Sequence, residues 1–506
     1  MRPLSKKIYL VLDAPSEADP RPDRQRVMEA LPKELGRVAM TLPVLRRIYA
    51  VCREGQWRVT ATLSRNVQGW DLVELEPGDT TVAHYGVAAD LGSTTLCLRL
   101  VDLNTGRILE QESVYNRQIA FGEDILNRVF YCKDNEERRE ELRQATLETF
   151  REGLEALEGA TALPYDKCAA MTVAGNTTMM HLLLGLEPFG VFAAPYAPVD
   201  LQFGFFTAAE LGLPICGNVF LYPCRANYLG GDIISGMVAT GIPERAGISV
   251  FLDIGTNGEL VVGSRDFLLA GAGAAGPALE GGVVKTGMRA MEGAVSYVKW
   301  ENGKFDLTVI GGGAPRGLCG SGIVDMIAQL FLNGKLDLLG KFVPESGDLV
   351  QENGEWGIAY APGLTFWQSD VDAFLRTKAA ANTMVEYMLE SVGLPLSEVD
   401  RFYVAGAFGT YLDKESAVTI GLYPDLPREK IIGAGNSSLE GAQALLLDAG
   451  ILESLPGILG KMDYVQFGEV ATFVDRMRAA MAIPHTDLER YPTVKAELFR
   501  RGLLHG

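Results

Sequence analysis

Two segments of the chain place an aspartate, a glycine and several small or hydroxyl-bearing residues directly after a short apolar run. They are Asp90-Leu-Gly-Ser-Thr-Thr95 and Asp253-Ile-Gly-Thr-Asn-Gly258. A carboxylate at the end of a buried strand can hold Mg²⁺ directly or through water. The glycine lets the backbone approach a phosphate, and backbone N–H groups and hydroxyls can donate hydrogen bonds to its oxygens. Each turn is therefore a candidate phosphate site with a metal ligand attached.

The two turns are part of an internal repeat. Val87-Ala-Ala-Asp-Leu-Gly-Ser-Thr-Thr95 recurs as Val250-Phe-Leu-Asp-Ile-Gly-Thr-Asn-Gly258, and in both copies an apolar strand precedes the turn and a meander follows it. Chance similarity is the alternative, because Asp-x-Gly hairpins are common, but the shared flanking strands argue against it. A repeat at such long spacing predicts two related lobes rather than a solenoid. Turns facing each other across a cleft would hold the β- and γ-phosphates of a nucleotide from both sides, as phosphoryl transfer requires.

This arrangement gives roles to a first set of residues. Asp90 and Asp253 are predicted to be catalytic and to bind Mg²⁺. The predicted phosphate-binding residues are Gly92, Ser93, Thr94, Thr95, Gly255, Thr256, Asn257 and Gly258.

A nucleotide also needs a pocket for its base and ribose, and three glycine-bearing segments are candidates. Phe402-Tyr-Val-Ala-Gly-Ala-Phe-Gly409 is an apolar strand ending in small residues that allow a flat base to approach. Leu318-Cys-Gly-Ser-Gly-Ile323 can present N–H groups at the start of a helix predicted over residues 323–330. A purely structural turn is an equally good interpretation of each. Together with a third strand-to-helix turn at 433–441, they give the predicted nucleotide-binding residues Gly320, Ser321, Gly322, Gly406, Gly409 and Asn436.

One further acid lies in a segment rich in small residues, Leu229-Gly-Gly-Asp-Ile-Ile-Ser-Gly236. A helix carrying one carboxylate near the cleft can orient an attacking water, so Asp232 is predicted to be catalytic. The alternative is an acid that only stabilises the start of a helix through its dipole.

The elements that must position these residues fall into three predicted domains of an α/β protein. Within the first, a strand is predicted at 7–12 and a helix at 24–35. The domains are 1–82, a small α+β domain, 83–245, the first lobe, and 246–506, the second lobe with a glycine-rich insertion around 271–367.

Composition excludes several classes of protein. The 506 residues include 46 basic and 64 acidic side chains, a net charge of −18, without the basic stripe of a nucleic-acid binder. No stretch approaches about 18 consecutive apolar residues, so we expect a cytoplasmic protein without a membrane contact. The seven cysteines are scattered and lack a Cys-x-x-Cys pair, which argues against a disulfide framework and a dedicated zinc or iron–sulfur motif.

The order of these motifs resembles the actin, hexokinase and heat-shock ATPase superfamily. Asp90–Thr95 looks like its first phosphate motif and Asp253–Gly258 like its second, with Asp232 on the first connecting helix. The segments at 406–409 and 433–441 would be the adenosine and second connecting motifs. The resemblance implies a duplicated, ribonuclease-H-like two-lobed fold that hydrolyses ATP with Mg²⁺.

Several longer strings in the chain are more specific than these motifs. They are Ala174-Gly-Asn-Thr-Thr-Met179, Gly230-Gly-Asp-Ile233, Ala275-Gly-Pro-Ala-Leu-Glu-Gly281, Gly317-Leu-Cys-Gly-Ser-Gly-Ile-Val-Asp325 and Val404-Ala-Gly-Ala-Phe-Gly409, with Tyr9-Leu-Val-Leu-Asp-Ala-Pro-Ser16 near the start. Together they look like the reductive activators of corrinoid proteins. That resemblance implies ATP-dependent return of a cob(II)alamin-type cofactor to Co(I) in a methyltransferase system, with a corrinoid protein as partner.

The sequence departs from that family in one respect, because its members usually carry an iron–sulfur domain with clustered cysteines. We expect no iron–sulfur cluster in this chain, so the electron donor is a separate ferredoxin-like protein, part of a longer protein is missing, or the reductive role is lost. A homodimer is a further expectation. The alternative function is an ATP-driven chaperone that reactivates a cobalamin enzyme without electron transfer, and a sugar kinase is a third.

Overall fold

Two units make up the chain in the computed structural model. Unit 1 comprises Met1–Gly241 and Ser437–Gly460, and unit 2 comprises Ile242–Asn436 and Lys461–Gly506. The segment 437–460 thus groups with the first half of the chain, whereas the sequence was divided at 245/246; the three domain boundaries stay a prediction. The structure describes residues 1–255, 258–273, 282, 284–467, 470 and 472–504, the side chains of Ala407 and Phe408 excepted.

The first part of unit 1 is a four-stranded sheet covered by two helices, in the strand order β1-β3-β4-β2. The predicted strand and helix are both present, but the helix ends at Ala30. Leu31 is extended because the proline that follows it disfavours the helical conformation. The elements are β1 (Ser5–Val11), α1 (Asp23–Ala30), β2 (Val38–Met40), α2 (Leu42–Glu54), β3 (Arg58–Asn66) and β4 (Gly69–Pro77).

The second sheet of unit 1 has six strands in the order β7-β6-β5-β8-β10-β9. Strands β5, β6 and β7 form an antiparallel meander, whereas β5, β8 and β10 are parallel. The strands are β5 (Tyr85–Leu91), β6 (Thr95–Asp102), β7 (Ile108–Tyr115), β8 (Cys168–Gly175), β9 (Gly204–Thr207) and β10 (Asn218–Leu221). The helices are α3 (Ile125–Cys132), α4 (Glu136–Thr161), α5 (Thr177–Leu184), α6 (Phe189–Phe192), α7 (Ala208–Leu211) and α8 (Gly231–Thr240).

Residues 242–436 contain most of unit 2, including two three-stranded sheets within the glycine-rich insertion. The strands are β11 (Ile248–Ile254), β12 (Gly258–Gly263), β13 (Leu268–Gly273), β14 (Ala294–Glu301), β15 (Lys304–Val309), β16 (Gly317–Leu318), β17 (Val350–Glu352), β18 (Glu355–Ala361), β19 (Leu364–Trp367), β20 (Val399–Ala405) and β21 (Ile431–Gly435). The helices are α9 (Gly320–Leu332), α10 (Gln368–Ser391), α11 (Gly406–Tyr411) and α12 (Lys414–Thr419). The last elements of the chain are α13 (Ser437–Leu447), α14 (Ile451–Lys461), β22 (Met462–Gln466), α15 (Phe473–Ala480) and α16 (Pro492–Arg500).

Five strands of the main sheet of unit 2 repeat the plan of the sheet in unit 1, and the sixth lies at the opposite edge, beside the meander. The strand order in unit 2 is β21-β20-β11-β12-β13-β22, with β11, β12 and β13 antiparallel and β11, β20 and β21 parallel. The predicted duplication is confirmed, since the two repeated segments form the corresponding central strands β5 and β11. Among the described residues no helix is long and apolar enough to cross a membrane, and all seven cysteines are free thiols.

Helices cover the unit 1 sheet on both faces. Gly153 of α4 packs on Leu98 of β6, where a Cβ would lie 2.5 Å from the leucine Cδ1. The next residue, Arg99, points to the opposite face and donates to Gln443 of α13 at 2.6 Å. Helix α13 therefore lies across the sheet from α4, over β5, β6 and β8.

A buried histidine joins the two sheets of unit 1. His84 is 3% exposed, and its Nε2 lies 2.9 Å from the Ser5 Oγ of β1. The Ser5 hydroxyl donates to the Leu63 carbonyl, so it accepts from the His84 N–H. Burial lowers the pKa of His84 to about 4, and the ring is neutral at pH 7.

His84 makes the stability of unit 1 depend on pH. The folded pKa lies below the unfolded value near 6.5, so the stabilisation is complete above that value and is lost as the pH falls towards 4. The difference corresponds to roughly 3 kcal/mol. We expect His84→Gln to lose less of its free energy of unfolding between pH 7 and pH 4 than the wild type, in chemical denaturation at each pH. Parallel curves for the two proteins would contradict this role.

A buried lysine fastens the last part of unit 2. Lys378 of α10 is fully buried, and its Nζ donates to the carbonyls of Ala480 at 2.5 Å, Ala482 at 2.6 Å and Pro484. Burial lowers the pKa of Lys378 to about 7. The three acceptors favour the ammonium form, because a neutral amine has only two N–H donors.

Removing this ammonium leaves three buried carbonyls without their donor. Each such group costs about 1–3 kcal/mol, so Lys378→Met should lower the free energy of unfolding by about 3 kcal/mol or more. The matched control is Lys341→Met, which removes an exposed ion pair with Asp372 and should cost about 1 kcal/mol or less. Urea denaturation of both variants measures the difference, and equal losses would disprove the fastening role.

Candidate functional site

The turn between β5 and β6 holds its carbonyl groups in place with hydrogen bonds from the protein. The Gly92 carbonyl accepts from Asn116 Nδ2 at 3.0 Å, and the Thr94 carbonyl accepts from the Asn116 N–H at 2.9 Å. The Thr95 carbonyl accepts from the Gly92 N–H at 3.0 Å. A Cβ at residue 92 would lie 2.6 Å from the Thr95 oxygen, so only glycine fits. The turn is rigid because each of these carbonyls has a fixed donor.

The remaining carbonyl of the turn, that of Ser93, accepts from Arg128 Nη1 at 2.7 Å. In a trans peptide the C=O and the following N–H point in opposite directions, so the Thr94 N–H points away from Arg128. In the part of the chain that the structure describes, the N–H groups of Ser93 and Thr94 have no acceptor. Successive backbone N–H groups of this kind form an anion-binding concavity. The predicted residues Gly92, Ser93, Thr94 and Thr95 are thus brought together in a turn suited to a phosphate.

Asp90 at the end of β5 is positioned by α13. The Ser438 hydroxyl donates to Asp90 Oδ1 at 2.8 Å, and the Ser438 carbonyl in turn accepts from the Ser235 hydroxyl of α8 at 2.6 Å. Helices α8 and α13 approach so closely at Gly441 that a Cβ there would lie only 2.0 Å from the Ser235 carbonyl. The buried Tyr222 hydroxyl donates to the Gly441 carbonyl at 2.6 Å. Small residues on both helices therefore bring the Ser438 hydroxyl to Asp90.

Asp232 lies in the first turn of α8, at the same edge of the sheet as Asp90. Strands β5 and β8 run parallel with Asp90 opposite Ala174, and α8 starts against the turn after β8, where a Cβ at Gly230 would lie 2.4 Å from Asn176 Cα. The carboxylate of Asp232 accepts from the Ile233 N–H at 2.8 Å. This contact is the one expected of a helix N-terminal acid, and the water-orienting role stays a prediction.

In unit 2 the second turn meets the start of α11. Asp253 of β11 lies opposite Ala405 of β20, and a Cβ at Gly406 would lie 3.4 Å from Asp253 Oδ1. Gly406 has a φ of 74°, which favours glycine. Gly255 follows β11 and Gly258 begins β12. Thr256 and Asn257 lie outside the described residues.

Of the remaining predicted base-pocket residues, Gly409 packs closely against neighbouring backbone. A Cβ at Gly409 would lie 1.8 Å from the Val404 carbonyl, and one at Gly433 would lie 2.0 Å from the Gly409 carbonyl, so α11 and β21 pack backbone to backbone. Asn436 links β21 to α13. Nucleotide contacts of Gly409 and Asn436 stay predictions.

The segment Gly320–Gly322 forms the first turn of α9, so the predicted helix start at 323 is three residues too late. Cys319 is the extended N-cap residue. A Cβ at Gly322 would lie 2.2 Å from the Val295 carbonyl of β14, and the Ser321 hydroxyl donates to the Ser296 carbonyl at 2.8 Å. The glycine and the serine are therefore explained by close packing of α9 on β14, and their contact with a nucleotide stays a prediction.

Magnesium fits the residues at these turns. Mg²⁺ keeps several waters and needs only one or two carboxylates beside substrate phosphates. Among the described residues there is no group of three or more His, Cys, Asp or Glu that could hold a metal ion. Asp90 and Asp253 each lie at the end of the central strand of their own sheet, and a single carboxylate of this kind suits a hydrated Mg²⁺ beside a phosphate.

Three residues of the site escaped sequence reasoning. Ser438 lies within the strand-to-helix turn predicted at 433–441, and its hydroxyl, a possible hydrogen-bond donor, is the feature that could have identified it. Asn116 and Arg128 carry no local signal, because their roles depend on backbone carbonyls distant in sequence.

Three family descriptions cover most of the chain. "RACo linker region" matches residues 1–82, "RACo middle region" matches 85–245, and "C-terminal domain of RACo the ASKHA domain" matches 247–495. The predicted actin-like fold class is confirmed by the ASKHA match and by the solved structure described next.

Individual relatives agree with this assignment. A solved "Reductive activator for corrinoid,iron-sulfur protein" superposes with a TM-score of 0.87 and 35% identity, covering 97% of this chain and 81% of that one. The "Corrinoid activation enzyme RamQ" of Eubacterium limosum is 34% identical over 398 residues, 74% of this chain and 66% of RamQ. The "[Co(II) methylated amine-specific corrinoid protein] reductase" of Methanosarcina barkeri is 23% identical over 427 residues, 77% of this chain and 75% of the relative. The aligned region spans just under two thirds of RamQ.

The turn geometry, the duplicated sheets and these matches lead to one conclusion: the chain belongs to the RACo family of reductive activators of corrinoid proteins.

Proposed function

We propose that this protein hydrolyses ATP to promote the return of Co(II) to Co(I) in a corrinoid protein of a methyltransferase system. The observation that carries the proposal is the turn at 92–95, whose carbonyls are bound by the protein while the N–H groups of Ser93 and Thr94 have no acceptor among the described residues. Such a turn suits the phosphates of a nucleotide. The names of the relatives supply the corrinoid partner.

The proposed roles of the site residues follow from their positions. Asp90 and Asp253 would hold Mg²⁺, which neutralises charge that develops on the phosphates. The turns that follow these two residues would bind the phosphate oxygens, and Asp232 would orient the attacking water. Ser438 would fix the Asp90 carboxylate through its hydrogen bond.

ATP binding would act by favouring one of two conformations. Inverting a 1:99 equilibrium requires a difference in binding free energy of about 5.5 kcal/mol. For a one-electron couple this corresponds to about 240 mV, at about 59 mV per tenfold change. A nucleotide of ordinary affinity therefore supplies enough free energy to assist a very negative Co(II)/Co(I) couple.

The proposed electron source is a separate ferredoxin-like protein. The seven cysteines are scattered along the sequence and include no Cys-x-x-Cys pair. A cysteine-ligated cluster commonly needs four thiolates. A homodimer and a cytoplasmic location stay predictions.

Activation can be measured with a corrinoid protein and a chemical reductant. We expect ATP with Mg²⁺ to raise the Co(I) absorbance at least about tenfold over the same mixture without nucleotide, because nucleotide binding shifts the conformational equilibrium. Exchange of bound cofactor without Co(I) would identify a reactivating chaperone instead. Phosphorylation of a small acceptor would identify a kinase. Either result would overturn the proposal.

The role of the Asp90–Ser438 pair is tested by ATP hydrolysis. Asp90→Asn should lower kcat by at least about 100-fold, since the Mg²⁺ that stabilises the charge on the phosphates would lose a carboxylate ligand. Ser438→Ala should lower it about 10–100-fold, the usual effect of removing a partner of a metal ligand. Ser454→Ala is the control, because its hydroxyl donates only to the Ile451 carbonyl of α14. Normal hydrolysis by Asp90→Asn would show that Asp90 has no such role.

A further inference from the structure

The guanidinium of Arg128 is among the largest fully buried side chains of the protein. It extends from α3 towards the turn at 92–95, and backbone carbonyls are its main partners. Its acceptors are the carbonyls of Ser93 at 2.7 Å, Gly122 at 2.8 Å and Glu123 at 3.5 Å, with Gln118 Oε1 at 3.4 Å and Met179 Sδ at 4.0 Å.

None of these partners carries a full negative charge. Throughout the described residues Arg128 forms no ion pair, and the nearby Asp124 uses its carboxylate to cap α3 through the Asn127 N–H at 2.8 Å. Burial lowers the pKa of Arg128 to about 10, so the side chain is still a cation at pH 7. Asp124 attracts this charge through space but makes no ion pair with it. A buried cation without an ion-paired anion is costly, and it suits a site that receives an anion.

The hydrogen bond from Arg128 to the Ser93 carbonyl relates the positive charge to one position at the turn. Because Arg128 holds the Ser93 carbonyl, the N–H of the same peptide group, that of Thr94, faces the opposite side. A phosphate oxygen on that N–H would lie roughly 8 Å from the guanidinium, across a single peptide unit. At that distance the attraction between the guanidinium and the bound nucleotide increases with the negative charge of the phosphates.

We propose that Arg128 is a positioning residue and the counter-charge for the nucleotide phosphates bound at the turn 92–95, so that it selects the triphosphate over less charged nucleotides. It acts through the Ser93 peptide and makes no contact with the nucleotide. This inference rests on the proposed function, because it requires ATP to bind at this turn. It adds a source of discrimination between ATP, ADP and AMP.

The test compares Arg128→Met and Arg128→Lys with the wild type by calorimetric titration of ATP, ADP and AMP, each with Mg²⁺. We expect Arg128→Met to weaken ATP binding about tenfold or more, ADP binding less, and AMP binding by at most about threefold, because the effect follows phosphate charge. Arg128→Lys keeps the charge but loses the forked donors, and should recover part of the ATP affinity.

The matched control is Arg138→Met. Arg138 is exposed and also donates to a carbonyl of α3, that of Tyr131 at 3.3 Å. Arg138→Met should leave the affinities for ATP, ADP and AMP unchanged. Circular dichroism checks folding, and if Arg128→Met does not fold, Arg128→Gln replaces it, because glutamine removes the charge and keeps an N–H donor for the Ser93 carbonyl.

The outcomes separate the two levels of the argument. A wild-type protein that binds no ATP overturns the proposed function. A wild type that binds ATP, with equal losses for ATP and AMP in the Arg128 variants, shows a merely structural role and overturns this inference alone. Losses graded from ATP to AMP support it.

Discussion

The orientation of the peptide groups between Gly92 and Thr95 is the constraint on which the candidate site depends. Four carbonyls in succession are bound by donors from the protein, which turns the N–H groups of Ser93 and Thr94 towards the space a ligand would occupy. Reversing any one of these peptides would leave a carbonyl without its donor, at a cost of about 1–3 kcal/mol. The peptide orientation of the proposed anion site is therefore maintained by the hydrogen bonds of Asn116 and Arg128, without any nucleotide.

The residues that surround this first turn and Asp90 come from two distant parts of the sequence. In sequence, helix α13 lies between the two segments of unit 2, yet it belongs to unit 1 and brings Ser438 to Asp90. Its approach to α8 requires a residue without a side chain, because a Cβ at Gly441 would lie 2.0 Å from the Ser235 carbonyl. Even an alanine at 441 would displace α13 and with it the Ser438 hydroxyl. The exact fit of two helices thus determines the environment of one carboxylate.

The sequence allowed much of this to be predicted, for identifiable reasons. The repeated strand, Asp-x-Gly turn and meander were predictable because apolar alternation and turn residues act over a few residues. Both copies form the same order of five strands, and only the sixth strand differs in place. The start of α9 was placed too late because its first turn is made of Gly320 and Gly322, which disfavour helices until packing on β14 compensates. Asn116 and Arg128 could not be found, since their partners are carbonyl groups that every residue possesses.

Two buried cations of the protein show how similar chemistry serves different ends. Lys378 and Arg128 are both fully buried and both donate mainly to backbone carbonyls. All three acceptors of Lys378 belong to one segment at 480–484, so its hydrogen bonds are complete within the fold and its role is to fasten that segment. Arg128 instead divides its donors between a loop at 122–123 and the carbonyl of Ser93, whose peptide ends in an N–H without an acceptor in the described structure. Carbonyl dipoles surround and stabilise the charge of Lys378. In the role proposed for Arg128, the dipole of the Ser93 peptide extends the effect of its charge to a phosphate at the Thr94 N–H. Burial alone does not distinguish Arg128 from Lys378. The proposed role of Arg128 follows from its hydrogen bond to a peptide group whose N–H has no acceptor among the described residues.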